Sequence, residues 1–354
     1  MIATLLCSLA LQSGFHSLNS KPLPPESNDF WFVALGDNRP AGAGLPPTET
    51  FRNILAEVSA IDPAFIVSSG DLLYGNEETL AQYNQEIAWM KPVIDELPCP
   101  FFNVPGNHEI NNRQEFFSAY TRAFGAPYGS FTYGGWQFVG ICTEIPAPKP
   151  SVFGDQLQWL KQTLSAKTPT VTFEHHPVFA RDTNTEKETA TIQNAHEIHE
   201  LFRTGNVKMA LEGHDHIYNQ QTHDGVDYRL AGGAGAPLDG SPTDGGFFHF
   251  LLVHVHGASL EAVPVPAGTL EVTPLQDGTV AASDYAFADL PLNNLTVRSS
   301  FKPSSVSAGY TTKKGKLTAV EARIVGTVEA KDGFETRIAL VLPQHHATVV
   351  KLAK

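Results

Sequence analysis

Five short apolar runs, each breaking off into a polar cluster, constrain this chain more than anything else in it. Phe30-Trp31-Phe32-Val33-Ala34-Leu35 runs into Gly36-Asp37-Asn38-Arg39, and Ala64-Phe65-Ile66-Val67 into Ser69-Gly70-Asp71-Leu72-Leu73-Tyr74-Gly75. Phe101-Phe102-Asn103-Val104 leads to Gly106-Asn107-His108-Glu109, Thr170-Val171-Thr172-Phe173 to His175-His176-Pro177, and Lys208-Met209-Ala210-Leu211 to Gly213-His214-Asp215-His216. A buried strand that stops at small residues and then a polar one delivers that side chain to the edge of a sheet. Each segment alone reads as an ordinary turn, in which an Asp satisfies nearby amides. Together they supply carboxylate, phenol, amide and imidazole groups, the donors of a divalent or trivalent first-row ion and not those of a thiolate zinc site.

Helical patterns separate these runs. Phe51, Ile54, Leu55 and Val58 form one stripe over residues 50–60, closed by Pro63. Leu80, Tyr83, Ile87, Met90 and Ile94 form another over 77–97. Strand alternating with helix predicts an α/β layer architecture with sites at the carboxyl ends of strands. From Tyr128 the pattern changes to a hairpin turning at Gly134-Gly135, which predicts a second sheet. Asp155 is expected to cap a helix, and a further helix is expected over 189–203, ended by Gly205. The run Gly232-Gly233-Ala234-Gly235 has no following lysine and no dinucleotide spacing, so it predicts close backbone packing and not a phosphate loop. His254 and His256 alternate along a strand with Phe250 and Leu252, and read as a polar strand edge in preference to a second metal site. Beyond Pro264-Val265-Pro266-Ala267-Gly268 come short β-like segments with no ligand cluster, which predicts a small β-sandwich appendage.

Composition narrows the classes of function. With 354 residues, 42% of them hydrophobic and 17% charged, the chain is long enough for one large domain and a small one. A formal net charge of −13 argues against an extended nucleic-acid or anionic-membrane footprint. The cysteines are Cys7, Cys99 and Cys142; the last two are expected as buried free thiols. Ile2 to Leu11 is an apolar run too short to span a bilayer and reads as a secretory signal, which predicts export to a periplasm or the cell exterior. The expected organisation is a signal and leader over 1–24, a catalytic domain over 28–268 and a β-rich accessory domain over 269–354.

Gly-Asp, Gly-Asp-x-x-Tyr, Gly-Asn-His-Glu, His-x-Pro and Gly-His-x-His, in this order between Phe30 and Pro266, resemble the motifs of the calcineurin-like metallophosphoesterases, and specifically of their purple-acid-phosphatase-like branch. The resemblance implies a four-layer α/β/β/α sandwich of two mixed sheets. It also implies Asp37, Asp71, Tyr74 and His216 as ligands of one metal ion, and Asp71, Asn107, His175 and His214 as ligands of a second, with Asp71 as the bridge. The first set, with two carboxylates and a phenol, suits Fe³⁺; the second suits Zn²⁺, Mn²⁺ or Fe²⁺.

In such enzymes a hydroxide held by two ions attacks phosphorus in line, so no Ser or Cys nucleophile is required. The resemblance makes His108 the general acid, and Arg39, Asn107 and His176 the groups that bind substrate. Glu109 is expected either to orient His108 or to cap the following helix. Arg39 departs from the family, many of whose members carry a histidine ligand there and whose purple branch carries glycine. The function implied is a binuclear metal-dependent phosphoric ester hydrolase, a phosphomonoesterase acting on a small phosphate ester. The alternatives are a phosphodiesterase on the same centre, a phosphate- or metal-binding module without turnover, and a structural protein whose C-terminal β region does the work.

Overall fold

The computed structural model describes residues 15–76, 79–110, 112–145, 149–181 and 190–354. Most of the expected signal segment, the first two residues of the 77–97 helix and residue 189 of the 189–203 helix lie outside the described residues. Two compact units divide the chain: residues 1–52 with 64–262, and residues 53–63 with 263–354.

The first unit is α/β, built on two mixed sheets. In one, β1 (Asp29–Leu35), β2 (Ile66–Ser68) and β3 (Phe101–Asn103) run parallel, while β10 (His249–His256) lies antiparallel to β1, giving the order β11-β10-β1-β2-β3 with β11 at Ser259–Pro266. The other has the order β4-β5-β6-β7-β9-β8; there β5 (Trp136–Ile141), β6 (Thr170–Glu174), β7 (Val207–Glu212) and β9 (Val226–Ala231) are parallel, and β4 (Gly129–Tyr133) and β8 (Tyr218–His223) are antiparallel edges. Strand alternation puts Phe30, Phe32 and Ala34 of the first sheet against Phe138, Val171, Phe173 and Leu211 of the second, which forms the central core. Phe65 is its hub. Its ring lies 4.8–6.3 Å from those of Phe30, Phe32, Phe102, Phe131, Tyr133 and Phe138. The far face of the second sheet buries Val139, Ile141 and Ala210 against Leu157, Leu160, Ile198 and Phe202 of two helices, α5 (Gly154–Leu164) and α6 (Ala195–Thr204). Val33, Leu35, Phe250 and Leu252 are buried on the far face of the first. Strands with both faces covered explain why the sequence shows continuous apolar runs there.

Four expectations need correction, one of them the helix expected over 189–203, which starts only at Ala195. Helix α2 (Leu80–Asp95) buries Glu86 where the stripe placed Ile87, because both Glu86 oxygens accept backbone amides. It begins at a Thr79–Gln82 capping box. Asp155 is not a cap: Phe153 occupies that position and makes no side-chain bond. The strand carrying His254 and His256 is an interior one, between β11 and β1. Cys99 and Cys142 are buried thiols outside any disulfide, as expected.

The second unit is all β apart from the end of α1 (Glu49–Ile61), with two antiparallel sheets: one in the order Leu270–Gln276, Thr279–Asp284, Ala347–Ala353, Ser305–Thr311, Leu317–Val320, the other in the order Leu290–Ser299, Gly333–Leu342, Ala322–Ala330. Asn293 and Asn294 donate to the carbonyls of Ile61 and Ser59 at 3.1 Å, fixing the helix end within this unit. No helix among the described residues is long and apolar enough to cross a membrane.

Within the same unit, Glu57 Oε1 accepts the Leu270 N–H at 3.2 Å. Burial pushes this carboxyl up to about 7, with the N–H groups of Leu270, Gly268 and Thr269 offsetting part of the penalty. A carboxyl raised on folding stabilises the native state below its unfolded value, about 4.3, and that contribution is lost as pH rises through the folded value. Urea unfolding of the whole chain between pH 4 and 8 should therefore show a falling stability that flattens in Glu57→Gln by on the order of 2 kcal/mol. An unchanged slope would remove Glu57 as its source.

Candidate metal centre

The five tips converge. Asp37 follows β1, Asp71 follows β2, Asn107 opens α3 (Asn107–Ile110) after β3, His175 follows β6, and His214 and His216 follow β7. All lie beyond the carboxyl ends of parallel strands. The loops also hold one another: Asp37 N donates to Gly70 O at 2.9 Å, and Gly213 N to His175 O at 3.0 Å. Asp37, Asp71 and His214 have φ of 58°, 56° and 72°. Non-glycine residues in that region are strained and gather at functional sites. Gly106 provides the clearance, since a Cβ there would lie 2.1 Å from Asp71 Oδ1 and 2.8 Å from the His175 ring.

The side chains meet as acceptors facing acceptors. His175 Nδ1 is 3.0 Å from the Ser69 carbonyl, an oxygen that can only accept, so Nδ1 carries a proton and donates it. Its Nε2 then points at Asn107 Oδ1, 2.9 Å away, and at Asp71 Oδ1, 3.4 Å away. His214 Nδ1 lies 3.1 Å from the same Asn107 oxygen. His216 repeats the pattern: Nδ1 reaches the Pro237 carbonyl at 2.5 Å and Nε2 stands 3.5 Å from Asp37 Oδ1. Backbone carbonyls that fix the remote imidazole nitrogen in this way are the usual support of a metal-ligating histidine.

Such an arrangement requires positive charge between its lone pairs. Burial works to lower the pKa of His175, but Asp71, Asp37, Glu144 and Glu109 overcome it and raise the ring to about 9. Burial works to raise Asp71, yet His175, His108, Arg39 and His214 hold its carboxyl well below the usual carboxylate range. His216 is likewise raised by Asp37, against burial. A proton supplies that charge in the free protein, and a cation suits the same place. Asp37, Asp71 and His175 form one group whose donor atoms lie within 4.8 Å of one another, and His175, His176 and His214 form a second. The buried Asn38 amide, Ser69 Oγ and Arg39 Nε have no hydrogen-bond partner among the described residues. Donor set and geometry fit two cations.

The remaining expected residues stand around this centre. Arg39 Nε is 3.6 Å from Asp71 Oδ2, with the guanidinium 5.6 Å from the centre of the Tyr74 ring. The Tyr74 ring lies 5.6 Å from that of His108. His108 Nδ1 bonds the Tyr74 carbonyl, while Nε2 is 3.2 Å from Asn76 Nδ2 and 3.8 Å from Asp71 Oδ2. His176 stacks on His214 at 4.0 Å, with Nδ1 2.6 Å from Glu144. Asp215, between the two histidines of its motif, turns away to the buried Arg181 at 2.8 Å.

Sequence reasoning missed the carboxylates that hold the loops. Glu109 accepts Gly106 N at 2.7 Å, Asp71 N at 3.0 Å and Leu73 N at 2.8 Å. Its bond to Gly106 is half a capping box, as one of the two expectations had it. The other two bonds tie the Asp71 loop to the Asn107 loop. Glu86 accepts Gly44 N and Tyr74 N, and Asp239 accepts His216 N at 3.0 Å. Only Glu109 carried a signal in the sequence, its place in Gly-Asn-His-Glu.

The family model for calcineurin-like phosphoesterases matches residues 30–218, more than half of the chain. No curated protein matches the sequence. Among solved structures the chain is similar to GAP50, the anchor in the inner membrane complex of Plasmodium, with a TM-score of 0.50 and 15% identity over 68% of this chain and 85% of that one. It is also similar to a dimetal phosphatase from Danio rerio, with a TM-score of 0.50 and 16% identity over 68% of this chain and 99% of that one. Likeness at that identity concerns the fold.

Glu109→Ala leaves three buried amides without an acceptor. Each orphan costs about 1–3 kcal/mol, so thermal unfolding should fall by several degrees and metal affinity with it. Glu109→Gln keeps one acceptor oxygen, enough for Gly106 N and Asp71 N, while its NH₂ group cannot accept from Leu73 N, so it should lose less than Glu109→Ala. Equal behaviour of the two variants would contradict the stapling role.

Proposed function

Because the chain belongs to the calcineurin-like phosphoesterase family, and is thus a metal-dependent phosphoesterase, we propose that it is a phosphomonoesterase of the purple-acid-phosphatase-like branch. The observation that carries the reading is the convergence of Asp37, Asp71, Asn107, His175, His214 and His216 from five strand tips onto one acceptor-rich point. In this reading Asp37, Asp71, Tyr74 and His216 hold one ion, and Asp71, Asn107, His175 and His214 the other. Bound there, the ions supply Lewis acidity toward phosphoryl oxygens and an activated water.

The chain's own groups do the rest. Arg39, whose buried Nε makes no hydrogen bond and lies 3.6 Å from Asp71 Oδ2, offers a planar fork to phosphate oxygens. A monoester presents more terminal oxygens to that fork than a diester, which favours the monoester. His108 Nδ1 is committed to the Tyr74 carbonyl, so Nε2 is the atom that carries the exchangeable proton toward the Asp71 side. Burial lowers the pKa of this ring against the pull of Asp71, and a lowered pKa makes Nε2–H a stronger acid for protonating the leaving alkoxide. His176, stacked on His214 and bonded to Glu144, lines the same pocket. Export, read from the first residues of the sequence, belongs to the same proposal.

Turnover of aryl phosphomonoesters and aryl phosphodiesters by metal-reconstituted protein tests the substrate class: monoesters should give the higher kcat/KM, and a preference for diesters would overturn it. On the same panel His108→Ala should retain its metal and lose about 10²–10⁴-fold in turnover. The loss should be greater for alkyl than for nitrophenyl esters, whose leaving group needs no proton. Loss of metal instead would make His108 a ligand.

The branch and the metal pair are tested by colour. A phenol with a pKa of about 10 becomes a ligand at neutral pH only on a strong Lewis acid. Protein loaded with Fe³⁺ and Zn²⁺, Mn²⁺ or Fe²⁺ should show a visible charge-transfer band that Tyr74→Phe removes. A colourless iron-loaded protein would contradict the Tyr74 assignment.

A further inference from the structure

A second group of ligand-type side chains lies outside the catalytic centre, at the start of β1 and the end of β10. Asp29 and His256 are directly opposite in the antiparallel ladder, and Trp31 is opposite His254. Alternation places all four on the sheet face turned away from the central core. The Asp29 carboxylate faces both rings: Oδ1 is 2.7 Å from His254 Nε2 and Oδ2 is 3.1 Å from His256 Nδ1. All three donors lie within 4.8 Å of one another. The frame is fixed. The Trp31 ring stacks on the His254 ring at 4.0 Å and 5° from parallel. The following turn is held where Gly257 N donates to Asn28 O at 2.6 Å and Gly257 O accepts Trp136 Nε1 at 2.9 Å.

We infer that Asp29, His254 and His256 form a surface site for one divalent first-row transition ion, Zn²⁺ being its natural occupant. Donors on a tetrahedral Zn²⁺ at about 2.0–2.2 Å stand roughly 3.3 Å from one another. The two separations from Asp29 are already close to that, so binding needs side-chain adjustment and no backbone movement. Two imidazoles and one carboxylate leave coordination positions for water, a donor set that Zn²⁺ accepts and that hard Mg²⁺ or Ca²⁺ does not prefer. In the free protein each ring turns a protonated nitrogen to the carboxylate. Binding replaces both N–H contacts with metal bonds, each proton passing to the ring's other nitrogen or to water, and links the start of β1 to the end of β10 through the ion. The bound ion therefore stabilises the fold by an amount that grows with the logarithm of its free concentration once that exceeds Kd.

The test counts ions on the full-length chain. Wild type, His254→Ala/His256→Ala and Asp29→Asn are dialysed against micromolar free Zn²⁺, and bound metal is measured together with aryl phosphate turnover. Wild type should hold about one ion more per chain than either variant, with turnover equal in all three because the catalytic centre is untouched. Cu²⁺ added to protein whose catalytic centre is already filled with Zn²⁺ should show two-nitrogen hyperfine structure in the electron paramagnetic resonance spectrum of wild type and not in that of the double variant. If the double variant misfolds, His256→Gln, which removes one ligand and keeps a polar side chain, gives the same comparison. Equal metal counts in wild type and in folded variants would overturn the site and leave the three residues a surface ion-pair cluster.

Discussion

The site depends on one electrostatic conflict. His175 spends Nδ1 on the Ser69 carbonyl and so aims the lone pair of Nε2 at the oxygens of Asp71 and Asn107. His216, fixed by the Pro237 carbonyl, does the same toward Asp37. Buried lone pairs cannot remain opposed without a positive charge between them. Second-row contacts to backbone carbonyls thus decide what the first row can hold.

Holding the conflict together is costly for the backbone. Asp37, Asp71 and His214 sit in left-handed conformations, each of which costs on the order of 1–3 kcal/mol. The compensation is local. Glu109 accepts three amides across the Asp71 and Asn107 loops, Glu86 ties the Asp71 loop at Tyr74 to Gly44, and the tip loops of β1 with β2 and of β6 with β7 bond one another directly. Behind them the aromatic core around Phe65 keeps the two sheets in register. Rigid strands therefore present the ligands, and the strained turns only aim them.

The strand tips, and with them most of the centre, were legible in the sequence because a buried parallel strand is a continuous apolar run and its polar terminus stands out against it. The apolar stripe of α1 was legible because Phe51, Ile54, Leu55 and Val58 are all buried. What escaped was partnership. Glu86 sits inside a helical stripe, where period alone assigns an aliphatic residue, and only the amides of Gly44 and Tyr74 explain its burial. Asp155 has the chemistry of a cap, yet the chain enters that helix two residues earlier, at Phe153. His254 and His256 looked like an edge because alternation gives a face but not a neighbour; pairing of β10 with both β1 and β11 makes the strand interior. Asp29, more than two hundred residues away in sequence, completes that group only in three dimensions.

The account stands or falls on where cations settle. Crystals of the chain equilibrated with Zn²⁺ and measured at its absorption edge should show two anomalous peaks flanking the Asp71 carboxylate, one on the Asp37 and His216 side and one on the Asn107, His175 and His214 side. Absence of anomalous density beside Asp71, with these side chains still packed as they are here, would contradict it.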